Sequence, residues 1–355
     1  MKKLAFLVLL SALSLNTACS KKLQVNWKFK TGGAVYSSPM INNSAIYFGS
    51  DDFYLYAIDE NTGEERWKFK TAGVIHGSPV YDKSTVYFGS NDGYLYAVNT
   101  KSGTRKWRFR TGGGVNSTPT IIGNTILFGS DDNYLYAINS DTHEIKWKFK
   151  TDDWVSAAPT VKDGVVYFGS YDKNIYAVNL NTGKEIWRFA TKGLITGSPV
   201  VKENIVYFGS SDHNLYALDI SSGKKLHFEK DLGEGKVAYK TWVFTAGDDI
   251  SATPLVTRDT IYVSSLDGNL YAIDKVTSEK KWNFKADSSL TTSPALLDGA
   301  LYVGSLDKSL YMVDEKSGKM KKKFVAEDVI YSSPAINNEI IYFGSNDNHL
   351  YSLKQ

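Results

Sequence analysis

Eight aspartates recur at one place in a repeated Gly-Ser-x-Asp phrase, and so many carboxylates could bind calcium or act as general acids and bases. Acid–base chemistry requires carboxylates in unequal environments that converge on one point. Here 40 or 55 residues separate successive members, so a repetitive fold would spread them around a ring. An Asp at a tight turn instead accepts hydrogen bonds from nearby backbone amides. We therefore predict that the whole set is structural: Asp52, Asp92, Asp132, Asp172, Asp212, Asp267, Asp307 and Asp347.

The histidines add no catalytic or metal-binding pattern. No two of them have the spacing of ligands on one helix or hairpin. The chain also contains no nucleophile beside a base and no glycine-rich phosphate loop followed by a helix. The sequence therefore predicts no catalytic residues, no metal and no cofactor, and a protein that is not an enzyme. The five histidines are His76, His143, His213, His227 and His349.

The N-terminus has the pattern of a lipoprotein leader. Two lysines precede an apolar run over residues 4–15, which is too short to span a membrane and typical of a signal peptide. The single cysteine, Cys19, stands where such a leader places its lipidated residue. We predict a signal peptide over 1–18, a lipidated Cys19 and a tether over 19–24, with the lipid as the only membrane anchor. The alternative is a cleaved, unlipidated periplasmic protein.

Tryptophans and prolines return with the same period as the aspartates. All eight prolines occupy one repeat position, which indicates a single repeat architecture rather than several independent domains. Seven tryptophans are predicted to be structural residues that dock between neighbouring repeats: Trp27, Trp67, Trp107, Trp147, Trp187, Trp242 and Trp282.

Each repeat contains signals for four short strands. In the second unit these cover 78–81, 85–90, 94–99 and 106–110, separated by turns rich in Gly, Asn, Asp and Ser. Eight such units predict an all-β fold, an eight-bladed β-propeller of four-stranded antiparallel blades over residues 25–355. The last unit has only three strands, and the segment 25–30 has the pattern of the missing fourth strand. Their pairing would close the ring and remove its open edges.

The segment 97–107 resembles the tryptophan-docking motif of PQQ-type propellers, in which Ala, Asp or Asn, Thr-Gly and Trp stand within eleven residues. Segments 57–67 and 177–187 match this motif more fully. The resemblance implies that each tryptophan packs against a neighbouring blade. His227 and Lys322 fall at the tryptophan position, so we expect the docking to be weakest near the fifth and seventh blades.

Two branches of this family imply different functions. One comprises quinoprotein dehydrogenases, which bind PQQ and calcium above the channel. The other comprises non-enzymatic BamB-type lipoproteins, which help to assemble outer-membrane β-barrels. The chain resembles the second branch more closely, because it combines a lipoprotein-like leader with eight blades and a single cysteine. This resemblance implies a protein-interaction scaffold at the periplasmic face of the outer membrane. Its partners would be envelope proteins, including a β-barrel assembly complex.

Function is expected where the repeats differ. In a propeller, the loops that enter the first strands share one face with the turns between the second and third strands. The residues at one position of these loops include Tyr331, Tyr36 and His76, which belong to consecutive blades across the closure. We expect them to cluster at the channel mouth as candidate ligand contacts. They would then bind a peptide, a glycan or PQQ in the alternative functions. The alternative interpretation is that these positions vary by chance because they lie on a solvated rim.

The residue before each repeat aspartate also varies. Leu266 and Leu306 belong to neighbouring repeats, and a leucine at an exposed turn tip is poorly explained by folding. Together with Tyr171 and Trp154 they form a candidate partner surface. Local packing onto the rim is the alternative interpretation.

Two further features concern the surface. Residues 229–241 mark an insertion of fifteen residues in the fifth repeat, which we predict between its third and fourth strands on the opposite face.

The formal net charge is +3, and acidic and basic residues interleave along the chain. We therefore expect no basic face and no nucleic-acid partner.

Overall fold

The computed structural model describes residues 23–231 and 237–354. The chain forms eight antiparallel sheets of four strands, and in the first seven the strand order follows the chain. The first strands of neighbouring blades contact one another and surround the central axis. This arrangement confirms the predicted eight-bladed β-propeller. Within the described residues, no helix is long and apolar enough to cross a membrane.

The strands fall into blades as follows. The described chain begins with β1 (Gln24–Lys30). Blade 1 contains β2 (Met40–Asn42), β3 (Ala45–Gly49), β4 (Tyr54–Asp59) and β5 (Glu65–Lys70). Blade 2 contains β6 (Val80–Asp82), β7 (Thr85–Ser90), β8 (Tyr94–Asn99) and β9 (Arg105–Arg110). Blade 3 contains β10 (Thr120–Ile122), β11 (Thr125–Ser130), β12 (Tyr134–Asn139) and β13 (Ile145–Lys150). Blade 4 contains β14 (Thr160–Lys162), β15 (Val165–Gly169), β16 (Asn174–Asn179) and β17 (Glu185–Ala190).

The second half of the ring repeats this pattern with one addition. Blade 5 contains β18 (Val200–Lys202), β19 (Ile205–Gly209), β20 (Asn214–Asp219) and β23 (Val243–Thr245), with β21 (His227–Asp231) and β22 (Val237–Thr241) inserted before the last strand. Blade 6 contains β24 (Leu255–Val256), β25 (Thr260–Ser264), β26 (Asn269–Asp274) and β27 (Lys280–Lys285). Blade 7 contains β28 (Ala295–Leu297), β29 (Ala300–Gly304), β30 (Ser309–Asp314) and β31 (Met320–Val325). Blade 8 contains β32 (Ala335–Asn337), β33 (Ile340–Ser345) and β34 (His349–Lys354), and β1 completes it.

Residue pattern explains the layers of each blade. In blade 2, all six residues of β7 are buried, because neighbouring blades cover both faces of the second strand. The fourth strand, β9, alternates instead: Trp107 and Phe109 are half-buried, and the basic residues on either side of each are exposed. The core is therefore a series of apolar layers between successive blades.

The N-terminal strand closes the ring. β1 pairs with β34 in antiparallel register, with Phe29 opposite Leu350, as the sequence predicts. The propeller begins earlier than residue 25, because Gln24 already belongs to β1 and Leu23 is buried in the apolar layer between blades 7 and 8. Both residues were predicted to belong to the tether. Cys19 and the signal peptide lie outside the described residues.

The insertion in blade 5 forms a separate hairpin. β21 and β22 pair in antiparallel register, with His227 opposite Thr241. They lie between β20 and β23, so the predicted connection is confirmed. His227 therefore belongs to the hairpin and does not occupy the tryptophan position of blade 5.

Tryptophans join six of the eight blades to the next by the same hydrogen bond. The indole N–H of Trp67 donates to the carbonyl of Thr100 (2.8 Å), 33 residues ahead in the turn that follows β8. Gly103 in the same turn lies against the Trp67 ring, with a backbone φ of 66° that favours glycine. The same 33-residue bond is made by Trp27, Trp147, Trp187, Trp242 and Trp282.

The expected weak docking at blade 5 is wrong. Trp242 occupies the docking position there, and at 2% exposure it is buried more deeply than Trp147 or Trp187. The fifteen inserted residues shift this position from 227 to 242. Blade 7 does have Lys322 in place of tryptophan. The strand topology of blade 8 explains why no tryptophan is needed there. In blade 8 the third and fourth strands come from opposite parts of the chain, so no turn joins them to receive an indole.

Candidate functional site

The repeat aspartates hold the turns of the channel-mouth face. In blade 6, Asp267 accepts hydrogen bonds from the amide of Asn269 (2.8 Å), the hydroxyl of Tyr271 (2.6 Å) and the amide of Gly247 (2.8 Å). The amide of Gly247 belongs to the preceding loop, so a single carboxylate fixes a turn, a strand and a loop together. The predicted structural role of the set is confirmed, because its other members repeat these three bonds.

These bonds displace the pKa values of both partners. Burial, followed by the bond to Asp267, raises the pKa of Tyr271 to about 12. Burial alone would raise the pKa of the Asp267 carboxyl. The bonds from Tyr271 and from the amides of Asn269 and Gly247 outweigh burial and lower that pKa below its usual value. The pair is therefore held as a carboxylate and a neutral phenol.

Stability should fall at both ends of the pH scale. The contribution of Asp267 is complete above its unfolded pKa of about 4 and is lost as the pH falls through the lower folded value. The contribution of Tyr271 is complete below its unfolded pKa of about 10 and is lost as the pH rises through the higher folded value. We expect the melting temperature, followed by circular dichroism, to be level between about pH 5 and 9 and to fall outside that range. An unchanged melting temperature at about pH 3 would contradict this account.

Three aromatic rings from consecutive blades meet at one side of the channel mouth. The ring centroid of Tyr36 lies 5.1 Å from that of Tyr331 and 5.0 Å from that of His76. The hydroxyl of Tyr36 accepts a hydrogen bond from the Asn346 side chain (3.0 Å), and Nε2 of His76 lies 2.9 Å from Asp51. The clustering predicted from the repeat is therefore present, and Tyr331 remains 37% exposed. Ligand binding by these rings stays a prediction.

A second aromatic pair stands further around the mouth. Trp154 is 46% exposed, and its ring lies 5.6 Å from that of Tyr171. The two other members of the predicted partner surface differ from expectation. Leu266 and Leu306 are half-buried rather than exposed at turn tips. Ser289 bridges their backbones, since it donates to the carbonyl of Leu266 (2.7 Å) and accepts from the amide of Leu306 (3.0 Å).

Polar atoms without partners lie at the mouth between the two aromatic groups. Asn116 donates to Asp131 (2.8 Å), but Oδ1 of each residue is buried without a hydrogen-bond partner. Burial raises the pKa of Asp131. Thr291 and Asn346 each carry a further buried oxygen of this kind at the mouth. Such atoms require a donor from water or a ligand, and the sequence pattern did not reveal them.

Acidic and basic residues are concentrated in different parts of each blade, although they interleave along the sequence. The loops that enter the first strands contain seven acidic residues and one lysine, Lys192. The fourth strands contain nineteen basic residues and two glutamates. Several of these basic side chains pair with carboxylates beside them, as Arg66 does with Asp59 (2.7 Å), and the absence of a nucleic-acid partner stays a prediction. Alternation in the fourth strands points apolar rings inward and lysines and arginines outward, which gives a basic rim and an acidic mouth.

One group at the mouth face contains several metal-ligand types. His213, Asp248 and Asp249 place one ligand atom each within 4.8 Å of one another. Nε2 of His213 lies 3.6 Å from Asp249 and 3.9 Å from Asp248. Because the group is open to solvent and pairs these side chains with each other, we assign no metal to it. Sequence spacing missed it because the histidine and the aspartates come from separate loops.

Comparisons with known proteins agree with this fold. No curated protein sequence matches the chain. The crystal structure of BamB from Moraxella catarrhalis is similar, with a TM-score of 0.78 at 18% identity over 94% of this chain and 98% of that one. The computationally designed Ika8 protein has the same TM-score of 0.78 at 15% identity, over 92% of this chain and 98% of its own. A family model described as outer membrane protein assembly factor BamB matches residues 20–122 and 110–324. The chain therefore belongs to the BamB family of PQQ-like propellers.

Proposed function

We propose that this protein is a non-enzymatic, lipid-anchored scaffold at the periplasmic face of the outer membrane, where it assists the assembly of β-barrel proteins. The match to the BamB family model carries this proposal. That match favours it over a quinoprotein or a glycan-binding propeller.

The channel mouth is the surface that suits such a role. It combines exposed rings at Trp154 and Tyr331 with acidic loops and with buried oxygens that lack partners. Aromatic residues with part of their surface exposed are typical anchors in protein interfaces. The acidic loops would favour a partner with basic residues and would raise its rate of association.

The proposal is tested by quantitative purification from the envelope of the source cells. The tagged full-length protein is solubilised from membranes, and its partners are measured by mass spectrometry. We expect β-barrel assembly proteins to be enriched with the parent. We expect them to fall at least about fivefold with the double variant Trp154→Ser/Tyr331→Ser, because both rings are exposed anchors.

A matched control separates this effect from general loss of apolar surface. Ile145 and Ile186, each 48% exposed, lie on fourth strands away from the mouth. The Ile145→Ser/Ile186→Ser variant should retain the partners. Absence of any β-barrel assembly protein with the parent would overturn the proposed function. Equal loss in both variants would overturn its location at the mouth.

A further inference from the structure

A cavity of about 480 Å³ lies between blades 5 and 6, at the face opposite the channel mouth. The inserted hairpin provides one wall through Phe228, and Leu226 lies just before that hairpin. Ile205, Trp242 and Val276 complete the apolar lining. The hairpin is found in blade 5 alone among the described residues, so it distinguishes this cleft from those between the other blades.

Tyr207 gives the cavity an unsatisfied polar group. The residue is fully buried, and its hydroxyl has no hydrogen-bond partner. No other tyrosine hydroxyl in the described part of the chain is both buried and unpartnered. A buried hydroxyl without a partner destabilises the folded protein, so its retention calls for an explanation such as a bound group.

Two equivalent tyrosines in other blades bind a carboxylate at this point. Tyr342 donates to the carboxylate of Glu60 (3.2 Å), and Tyr262 donates to that of Glu315 (3.2 Å). Each glutamate directly follows the third strand of the next blade. In blade 6 the residue at that position is Lys275, so Tyr207 lacks the carboxylate that Tyr342 and Tyr262 bind.

The lysine at position 275 also brings a positive charge to the cavity. The side chain of Lys275 is only 9% exposed, and its ammonium lies 2.9 Å from Glu203. An ammonium group has three N–H donors, so this ion pair leaves donors for a second acceptor. A ligand carboxylate could therefore accept from the Tyr207 hydroxyl and from Lys275, with its apolar part against Phe228 and Trp242.

We propose that this cavity binds a small carboxylate with an apolar body, at a site separate from the channel mouth. The same chemistry is found in a free aryl or alkyl carboxylate and in the C-terminal residue of a peptide. Either would supply the acceptor that Glu60 and Glu315 supply in other blades.

Isothermal titration calorimetry on the detergent-solubilised full-length protein tests the proposal. N-acetyl-phenylalanine should bind with a Kd of about 0.1–1 mM, as its size allows. N-acetyl-phenylalaninamide, which lacks the carboxylate, should bind at least about tenfold more weakly. Tighter binding of 3-phenylpropionate would assign the site to free carboxylates. Tighter binding of N-acetyl-phenylalanine would assign it to peptide termini.

Two matched tyrosine variants locate the binding. Tyr207→Phe should weaken N-acetyl-phenylalanine at least about fivefold without lowering the melting temperature, because it removes a hydroxyl that has no partner in the folded protein. Tyr342→Phe should leave binding unchanged and lower the melting temperature, since it removes the bond to Glu60. The proposal is overturned by absence of saturable binding up to about 20 mM, by equal affinity for the amide, or by parental affinity in Tyr207→Phe.

Discussion

Deletion of residues 24–30 should abolish cooperative folding of the propeller. Those residues form β1, which supplies the fourth strand of blade 8. The indole of Trp27 donates to the carbonyl of Glu60 (3.1 Å), and the Phe29 ring lies 5.4 Å from that of Tyr56. The deletion therefore separates blade 8 from blade 1 as well as exposing the edge of β34.

The expected cost is comparable to the usual margin of stability. Loss of a fully buried tryptophan or phenylalanine costs about 3–5 kcal/mol, against a total of about 5–15 kcal/mol for a native protein. Trp27 and Phe29 are half-buried, so each costs less, but the deletion also removes the hydrogen bonds of a whole strand. Thermal unfolding and size-exclusion chromatography should show a broad transition and oligomers, because β34 becomes an open edge. The control, Lys28→Ala/Lys30→Ala, alters exposed side chains of the same strand and should unfold like the parent. A monomeric deletion variant with the parental melting temperature would contradict the ring-closure account.

Gly129→Ala should be among the most destabilising single substitutions in the chain. A methyl group on Gly129 would lie 2.0 Å from the carbonyl oxygen of Val155, in the loop of the next blade. The methyl group is fixed to the backbone of Gly129, and the oxygen belongs to the backbone of Val155. Neither can move away without shifting a blade. Overpacking of a well-packed core costs about 1–3 kcal/mol, and we expect the upper end of that range or more.

Blade 6 provides a control at the same repeat position. It has Ser264 where the other blades have glycine, and the loop residue at the facing position is Leu290 in place of the valine or isoleucine found elsewhere. Leucine has no branch at Cβ, which leaves room for a side chain. The Ser264 hydroxyl is buried without a partner, so Ser264→Ala should not destabilise the protein. Chemical denaturation of both variants checks the pair, and equal stability of Gly129→Ala and the parent would contradict the crowding argument.

Much of the fold follows from the repeat. The second and third strands of blade 2 begin and end where the pattern predicts, because buried apolar runs between turn residues define both ends. The first strand begins at Val80 rather than residue 78, since Pro79 cannot donate to the sheet. Repeat positions also predicted that Tyr36 and His76 would meet, because residues at the same position in neighbouring blades are neighbours in space.

Other features could not be predicted from a single repeat position, because they depend on neighbouring loops or blades. The half-buried state of Leu266 and Leu306 depends on the loop next to each turn, which differs between blades. The basic rim arises from alternation within fourth strands that are distant in the sequence. The unpartnered hydroxyl of Tyr207 depends on its contacts with the next blade, where position 275 holds lysine rather than the glutamate found at 60 and 315.

We propose that the channel mouth binds a component of β-barrel assembly. Site-specific photo-crosslinking in the source cells tests it most directly, with the crosslinking residue at position 154 of the mouth and, as the control, at position 145 of the outer rim. We expect a crosslink from position 154 to a β-barrel assembly protein and none from position 145. Crosslinks to that protein from position 145 alone, or from neither position, would contradict it.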